Sequence, residues 1–218
     1  MALSDTAAFI RANLPVLPVP GIAEIRLHKA VPSSRVGRLA ADGDAPPPYW
    51  AHHWAGGLAL ARHVLDHPES VAGRRVLDLG AGSGLVAIAA AKAGAAQVTA
   101  VEPDRHALTA LALNAALNDV RIDIRAADVA ALEVPDVDLV LVGDLFYSDA
   151  LAGAVTAFLD HCLDRGIDAL VGDPWRRPLP LARLDEIARY EVAETGGAAK
   201  PGGVFRFCRA RDGITPRP

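Results

Sequence analysis

Short strand-like runs alternate with longer segments of helical periodicity through most of the sequence after Arg74. The runs are RRVLDLG, AQVTAVE, VRIDIRA, DVDLVLVGD and IDALVGD, and segments such as SGLVAIAAAKAG and DRHALTALALNAALN lie between them. Strands that are apolar on both faces and alternate with helices are typical of a parallel sheet covered by helices on both sides. The pattern therefore predicts an α/β fold with a doubly wound, Rossmann-like sheet.

The alternation ends near the C-terminus. A short helix is predicted near Leu181 to Ile187, and the runs RYEVAET and GVFRFCRA then flank the connection GGAAKPGG. This connection is rich in turn residues and too short to hold a crossover helix, so the two runs should pair as an antiparallel hairpin. A mostly parallel sheet that finishes in such a hairpin is much rarer than a plain Rossmann fold.

The first 48 residues are organised differently. We expect a short helix from Asp5 to about Asn13, capped by Ser4 and ended by PVLPVPG, because proline lacks a backbone donor and fixes φ. A strand in IAEIRLHKA follows, and then a polar connection rich in proline and glycine over residues 32–48. We therefore predict an N-terminal extension, residues 1–48, and a main domain, residues 49–218.

The composition limits the classes of partner. With 218 residues, 51% of them hydrophobic, the chain can bury a sizeable core, and a net charge of -4 disfavours binding to nucleic acid. The two cysteines, Cys162 and Cys208, have no metal-ligand spacing, so we expect no metal site and a reducing, cytoplasmic location. No apolar run reaches the roughly 18 residues of a membrane span, so no membrane partner is expected.

The run VLDLGAGSGL, from Val76 to Leu85, lies where the first strand of the alternation turns into a helix. In open α/β sheets this is a ligand-binding position. The dinucleotide fingerprint GxGxxG needs a glycine at the place of Leu85, whereas the glycines of this loop are Gly80, Gly82 and Gly84. The spacing disfavours an NAD-linked oxidoreductase, which stays as one alternative.

Three carboxylates accompany this loop. Asp78 precedes the glycines and suits an ammonium group, whereas Glu102 ends the next strand, where a carboxylate accepts hydrogen bonds from ribose hydroxyls. Asp128 follows the third strand, where it could meet an adenine amino group. The set fits a cationic nucleoside without phosphates, so we predict S-adenosylmethionine as the cofactor and a methyltransferase as the function.

The segment GDLFYS, from Gly143 to Ser148, ends the fourth strand. Making the neutral amine of a lysine at pH 7 costs about 4.6 kcal/mol, because its free pKa is about 10.4. We expect Asp144 to accept hydrogen bonds from such an amine and orient it, although its charge also favours the ammonium form. Tyr147, Phe146 and Trp54 could offer rings to cationic groups. The structural alternatives are Asp144 as the cap of the following helix and Phe146 as a core residue.

Four elements resemble the electron transfer flavoprotein beta-subunit lysine methyltransferase family, which belongs to the seven-strand, class I S-adenosylmethionine-dependent methyltransferases. They are PPPYWAHHWAGGLALARHVLDHP, VLDLGAGSG, LVGDLFYS and LVGDPWR, and the resemblance spans the chain from about Gly21 to its end. It implies N-methylation of a lysine in a protein substrate, such as the electron transfer flavoprotein beta subunit or a ribosomal protein. A small-molecule N-methyltransferase and a cofactor-binding module without turnover are the alternatives.

The resemblance also implies roles for individual residues. Asp144 and Tyr147 would form a catalytic D-x-x-Y element. From the residues themselves we also predict Trp50, Phe146 and Asp173 on the substrate side, with packing as the alternative for Trp50 and helix capping as the alternative for Asp173. The cofactor would be held by Trp54, Asp78, Gly80, Gly82, Gly84, Glu102 and Asp128. Four departures from the family pattern leave the identity of the substrate protein open: His52, His53, Leu58 and Trp175.

Overall fold

The computed structural model describes residues 3–39, 47–194 and 198–210. Its first part contains helix α1 (Leu3–Asn13) and an antiparallel pair of strands, β1 (Val16–Val19) and β2 (Ile22–His28). Helix α1 and strand β2 are confirmed predictions. Strand β1 was missed because PVLPVPG contains three prolines; Pro18 is tolerated there since β1 pairs on one side only. Of the predicted connection at 32–48, residues 40–46 lie outside the described residues.

The main sheet has seven strands in the order β5-β4-β3-β6-β7-β9-β8. All neighbours are parallel except that β9 pairs antiparallel with both β7 and β8. The α/β, doubly wound prediction and the C-terminal hairpin are therefore confirmed. The elements are α2 (Ala55–Asp66), β3 (Arg75–Leu79), α3 (Leu85–Lys92), β4 (Gln97–Glu102), α4 (Arg105–Leu117), β5 (Asp123–Ala126), β6 (Leu139–Gly143), α5 (Asp149–Asp164), β7 (Asp168–Asp173), β8 (Leu184–Ala193) and β9 (Ala199–Phe207).

The predicted helix near Leu181 to Ile187 is wrong. Only a single 3₁₀ turn, Leu181–Arg183, precedes strand β8. The apolar residues three apart suggested a helix, but pairing with β9 decides the conformation: Leu184 lies opposite Phe207, and the Arg183 guanidinium stacks on the Phe207 ring. The register shifts next to Ile187, as in a β-bulge, so the spacing of apolar residues departs from strict alternation.

Alternate side chains along each central strand pack on opposite faces of the sheet. In β6, Leu139 and Leu141 pack with α2 and α3, whereas Val140 and Val142 pack with α5. The hairpin β1–β2 joins the first of these cores through Val19, Ile22, Ile25 and Leu27. Helix α1 packs against α4, where Ile10 meets Ala107 and Ala110. The extension thus shares its core with the main domain, while the boundary at residue 48 stays a prediction.

Candidate active site

A cavity of about 640 Å³ lies beyond the carboxyl ends of β3, β4 and β6. The sheet order reverses at β3, which pairs with β4 on one side and β6 on the other, and ligands of open α/β sheets bind at such a switch point. Nine of the residues predicted from the sequence line this cavity: Trp50, Trp54, Asp78, Gly80, Gly82, Glu102, Asp128, Asp144 and Tyr147. Gly84, Phe146 and Asp173 are not part of its lining.

The glycine loop shapes one wall of the cavity. Gly80, Gly82 and Gly84 have φ of 66°, 54° and 91°, a region that residues with a Cβ rarely adopt. A Cβ on Gly84 would also lie 2.9 Å from Leu111 Cγ, on the side of helix α4. Gly84 therefore directly precedes α3 and packs against α4, and its predicted contact with a cofactor stays a prediction.

Two buried carboxylates stand at this wall. Glu102 accepts hydrogen bonds from the N–H groups of Gly82 (2.8 Å) and Asp104 (2.9 Å), and burial raises its pKa. Asp78 is 2% exposed and accepts one hydrogen bond, from Ala87 N at 2.8 Å; burial raises its pKa to about 8. Carboxyls poorly solvated in this way are stabilised by a ligand that brings an ammonium and hydroxyl donors. The two carboxyl groups therefore fit S-adenosylmethionine, which brings such donors.

Asp128 occupies a more open position in the same cavity. It is exposed, and its Oδ1 accepts a hydrogen bond from Ala130 N at 2.8 Å, which caps a 3₁₀ turn after β5. The second carboxylate oxygen has no such role in this cap. The placement is consistent with the predicted contact to an adenine amino group, and that contact stays a prediction.

Three exposed aromatic side chains stand together at the cavity. Tyr49, Trp54 and Tyr147 are 52%, 37% and 60% exposed, and the Tyr49 ring centroid lies 6.1 Å from that of Trp54 and 6.3 Å from that of Tyr147. Trp54 Nε1 donates a hydrogen bond to Tyr49 O at 3.0 Å, which fixes the indole. We call these three residues the aromatic rim. Tyr49 was missed as a site residue, although it lies in the same YWAHHW element as both tryptophans.

Trp50 lies inside the rim and is only 6% exposed. It packs with Ile10 and Leu14 of the N-terminal region, and a Cβ on Gly82 would lie 3.7 Å from Trp50 Cβ. Trp50 thus holds the YWAHHW element against the glycine loop. Its predicted role on the substrate side stays a prediction.

Asp144 is held in a buried network. Its Oδ1 accepts hydrogen bonds from Gly56 N (3.1 Å) and from Arg176 Nη1 (2.6 Å), and its Oδ2 accepts one from Gly57 N. It binds the start of α2 and does not cap the following helix α5, whose cap is Ser148. Burial raises the pKa of Asp144, and the nearby Arg176 charge opposes that rise. The predicted role as an amine acceptor stays a prediction.

Arg176 was not predicted and joins two parts of this network. It lines the cavity, and its Nη1 also donates to Asp173 Oδ2 at 2.9 Å. Asp173 is fully buried and accepts a second hydrogen bond from Arg176 N, so it positions Arg176 and has no surface toward a substrate. Arg176 is the arginine of the GDPWR segment, which was noted in the sequence. Its pairing with Asp144 could not be predicted, because the two residues are 32 positions apart along the chain.

Phe146 points away from the cavity. It is 0% exposed and packs with Val140, Val142 and Phe158 in the core between the sheet and α5. The prediction of Phe146 as a substrate-binding residue is therefore revised to a core residue. The side chains of Phe146 and Tyr147 point in opposite directions, so of these two neighbours Tyr147 belongs to the aromatic rim and Phe146 does not.

Within residues 3–39, 47–194 and 198–210, no group of three or more His, Cys, Asp or Glu could hold a metal ion. No helix within the same residues has the length and apolar character needed to cross a membrane.

Comparisons with known proteins identify relatives of this chain. Residues 59–165 match the sequence model of the ribosomal protein L11 methyltransferase (PrmA) family. The electron transfer flavoprotein beta subunit lysine methyltransferase of Danio rerio is 44% identical over 60% of this chain and 52% of its own length. The enzyme of the same name from Xenopus laevis is 35% identical over 86% of this chain and 79% of its own length. The chain thus spans about half of the zebrafish relative.

Among solved structures, the ribosomal protein L11 methylase of Lactobacillus delbrueckii subsp. bulgaricus has a TM-score of 0.52 at 24% identity, over 69% of this chain and 77% of its own. This likeness supports the fold. The similarity to the Xenopus laevis enzyme extends over most of both proteins. The chain belongs to the electron transfer flavoprotein beta subunit lysine methyltransferase family, which confirms the family predicted from the sequence.

Proposed function

We propose that this chain is an S-adenosylmethionine-dependent protein-lysine N-methyltransferase that acts on an electron transfer flavoprotein beta subunit or a ribosomal protein. One observation carries the proposal: a single cavity is lined both by the buried carboxylates Asp78 and Glu102 and by the aromatic rim. The first set suits the cofactor, and the second suits a lysine side chain arriving from solvent. The two proposed substrates are those that appear in the names of the relatives and of the matching family.

The cofactor would be held by the residues of the glycine-loop wall. Asp78 would pair with its ammonium group, Glu102 with ribose hydroxyls and Asp128 with the adenine amino group, while Gly80 and Gly82 let the backbone come close. When bound, S-adenosylmethionine supplies a methyl group on a sulfonium, which is activated for in-line displacement. The task of the protein is then to hold the amine about 3 to 3.5 Å from that methyl group.

The aromatic rim would receive the substrate lysine. Rings within about 6 Å of a cation attract it, and exposed aromatic faces also cover the aliphatic stem of a lysine. Burial, together with the negative charge of Glu102, raises the pKa of Tyr147, so its hydroxyl stays neutral at physiological pH and can serve as a donor or an acceptor. Tyr147 would therefore form a wall of the lysine channel.

Asp144 would orient the amine. A lone carboxylate would favour the ammonium form and slow the reaction. Arg176 donates to Asp144 at 2.6 Å and offsets its charge, so Asp144 can accept a hydrogen bond from the amine without strongly stabilising the proton on it. The same guanidinium also disfavours a second cation nearby. It therefore reduces the cost of forming the neutral amine, which is about 4.6 kcal/mol for a free lysine at pH 7.

The mouth of the cavity favours a protein over a free small molecule as the substrate. Its three rim side chains are between 37% and 60% exposed, so the entrance is open to a large partner. The net charge of -4 makes a nucleic acid the less favourable partner. We also propose a reducing compartment, the cytoplasm, because the sequence holds only two cysteines, Cys162 and Cys208, and they are far apart. Fractionation of cells that express the tagged chain tests this location.

The proposed activity is tested with radiolabelled S-adenosylmethionine. The protein is incubated with purified electron transfer flavoprotein beta subunit, with ribosomal protein L11 and with a cell lysate, and labelled lysine is located by peptide mass spectrometry. We expect label in a discrete protein. Label confined to RNA or to a small metabolite contradicts the proposal.

Three variants separate the two parts of the site. We expect Glu102→Ala to lose both cofactor binding and label, and Tyr147→Ala to keep cofactor binding while losing most of the label. Glu133→Ala, at an exposed position outside the cavity lining, is the matched control and should behave as the unchanged protein. Full labelling by Tyr147→Ala would remove the rim from the proposal.

A further inference from the structure

Trp175 has a backbone conformation that favours glycine. In the part of the chain that the structure describes, the residues other than glycine with a positive φ are Arg35 (51°), Asp119 (55°), Asp144 (61°) and Trp175 (58°). Arg35 and Asp119 follow helical turns, where a left-handed residue often ends the helix. Asp144 and Trp175 instead follow strands β6 and β7 at the candidate active site. A strained backbone of this kind persists where surrounding contacts hold it, and such residues cluster at functional sites.

The indole of Trp175 is held by the C-terminal hairpin. It meets the ring of Phe205 on β9 edge to face, with the ring centroids 5.5 Å apart. The guanidinium of Arg189 on β8 lies over the indole, 4.3 Å from the ring centroid, which is a favourable position for a cation. A Cβ on Gly203 would lie 2.9 Å from Trp175 Cζ2, so the indole also packs closely against the backbone of β9. These contacts fasten the loop after β7 to the hairpin.

The same loop carries Arg176, which lines the cavity. Arg176 N donates to Asp173 Oδ1 at 2.7 Å, and the guanidinium bridges Asp173 and Asp144. Asp144 is tied to strand β7 as well, because its N–H donates to Gly172 O at 2.9 Å. The position of the guanidinium therefore depends on the backbone between Asp173 and Arg176, and the Trp175 indole anchors that backbone on the hairpin.

We propose that Trp175 is a positioning residue for methyl transfer: its indole anchors the loop after β7 and so keeps the Arg176 guanidinium on Asp144. Trp175 acts through Arg176 and does not touch the substrate in this role. The inference rests on the proposed function, in which Asp144 orients the amine of the substrate lysine and Arg176 offsets the charge of Asp144.

Loss of the anchor has a distinct kinetic consequence. When Arg176 leaves Asp144, the carboxylate keeps its full charge and favours the ammonium form of the lysine, so kcat falls. The same uncompensated carboxylate attracts the cationic lysine at least as strongly, so KM for the protein substrate stays the same or falls. General damage to the site would instead raise KM or weaken cofactor binding.

The test measures kcat and KM of Trp175 variants with the substrate protein that the labelling assay identifies. Trp175→Gly suits the positive φ and removes the indole, whereas Trp175→Phe keeps a ring toward Phe205 and Arg189. We expect Trp175→Gly to lower kcat by about tenfold or more, which corresponds to a rise of one unit in the pKa of the bound amine. Its KM should not rise, its affinity for S-adenosylhomocysteine in calorimetry should be unchanged, and Trp175→Phe should recover most of kcat.

The matched control is Asp119→Gly, which places a glycine at another positive φ, exposed and outside the cavity lining. It should keep the kcat of the unchanged protein. An unchanged kcat in Trp175→Gly overturns the inference, and so does a lower kcat that comes with a raised KM or with weaker S-adenosylhomocysteine binding. Equal losses of kcat in Trp175→Gly and Trp175→Phe also overturn it. Absence of labelling by the unchanged protein overturns the proposed function itself.

A second pair of variants applies if Trp175→Gly does not fold. Arg189→Ala removes the cation over the indole, and its control, Arg125→Ala, removes an arginine of similar exposure from an ion pair on β5. Arg189→Ala should lower kcat by about twofold or more without raising KM, as for a lost cation–π contact, and Arg125→Ala should leave kcat unchanged. Equal kcat in these two variants overturns the inference.

Discussion

Replacing Arg176 by methionine should be among the most destabilising single changes in this chain. Arg176 Nη1 is the ion-pair partner of Asp144 at 2.6 Å and of Asp173 at 2.9 Å, and those carboxylates are 10% and 0% exposed. Removing one partner of a buried ion pair costs about 3–5 kcal/mol, because it leaves the other charge buried without compensation. For a domain of this size we expect the melting temperature to fall by roughly 6–20 °C.

The neighbouring residue provides a matched control. Arg177 pairs with Asp149, and their side chains are 80% and 70% exposed, so Arg177→Met should cost less than about 1 kcal/mol. Urea unfolding of both variants gives the two free energies of unfolding. Equal destabilisation by the two changes would contradict the cost assigned to the ion pairs of Arg176, because that cost is attributed to their burial.

The pH dependence of this cost has a definite sign. Without Arg176, burial should raise the pKa of Asp144 and Asp173 further above the unfolded value of about 3.9. The folded variant then binds more protons than the unfolded chain, so its stability is retained at low pH and is lost as the pH rises through that window. The difference between the unchanged protein and Arg176→Met should therefore be larger at about pH 7 than at about pH 4.5.

Two further outcomes follow from the close contacts and the buried acids. A Cβ on Gly56 would overlap the carbonyl of Gly172 and lie 2.8 Å from Asp144 Oδ1, so Gly56→Ala should lower the free energy of unfolding by about 2 kcal/mol or more. The control is Gly153→Ala in α5, where a Cβ has open space, and this change should raise the free energy of unfolding by up to about 1 kcal/mol. Chemical denaturation measures both values. Because the pKa of Asp78 is about 8 in the free protein, binding of an ammonium ligand should release a proton, and S-adenosylhomocysteine affinity should rise between about pH 6 and pH 8; calorimetry should find this rise absent in Asp78→Asn.

The predictable part of this protein is local along the chain. Stretches of fewer than a dozen residues predict each of the strands β3 to β7 and the glycine loop. The positions of Asp78 and Glu102 in the cavity wall follow from where those strands end. In a parallel sheet the carboxyl ends meet at one edge, so position in the sequence fixes position in the site. This is why the sequence could predict that Asp78 and Glu102 line one cavity, while their contacts with a cofactor stay a prediction.

The parts that escaped prediction depend on pairs of residues far apart in the sequence. Asp144 finds Arg176 32 positions away and finds Gly56 88 positions away, and neither distance leaves a periodic signal. Phe146 and Tyr147 are adjacent, yet one is 0% and the other 60% exposed, which only the turn after β6 decides. Residues on such turns, among them Phe146, could therefore not be assigned to the cavity or to the core from the sequence alone.

The N-terminal extension should contribute to cofactor binding, although it precedes the predicted main domain. The fully buried Asn114 of α4 accepts a hydrogen bond from His28 N at 2.8 Å through Oδ1 and donates one to Ser83 O at 2.9 Å through Nδ2. It therefore links strand β2 to the glycine loop. Directly after α4, Asn118 accepts a hydrogen bond from Arg26 N through Oδ1 and donates one to Arg26 O through Nδ2. Within the described part of the chain, the hydrogen bonds of the Asn118 side chain reach β2 and Asn114 O, and none reaches that loop.

The two asparagines make a matched pair for a test. Asn114→Leu and Asn118→Leu each leave backbone groups of β2 unsatisfied and should each cost about 1–3 kcal/mol of stability. Only Asn114→Leu also frees the Ser83 carbonyl, so only this variant should weaken S-adenosylhomocysteine binding in calorimetry, by about three- to tenfold. Equal affinities in the two variants would contradict the link, because both side chains accept a hydrogen bond from an N–H of β2, whereas Asn114 also donates one to the glycine loop.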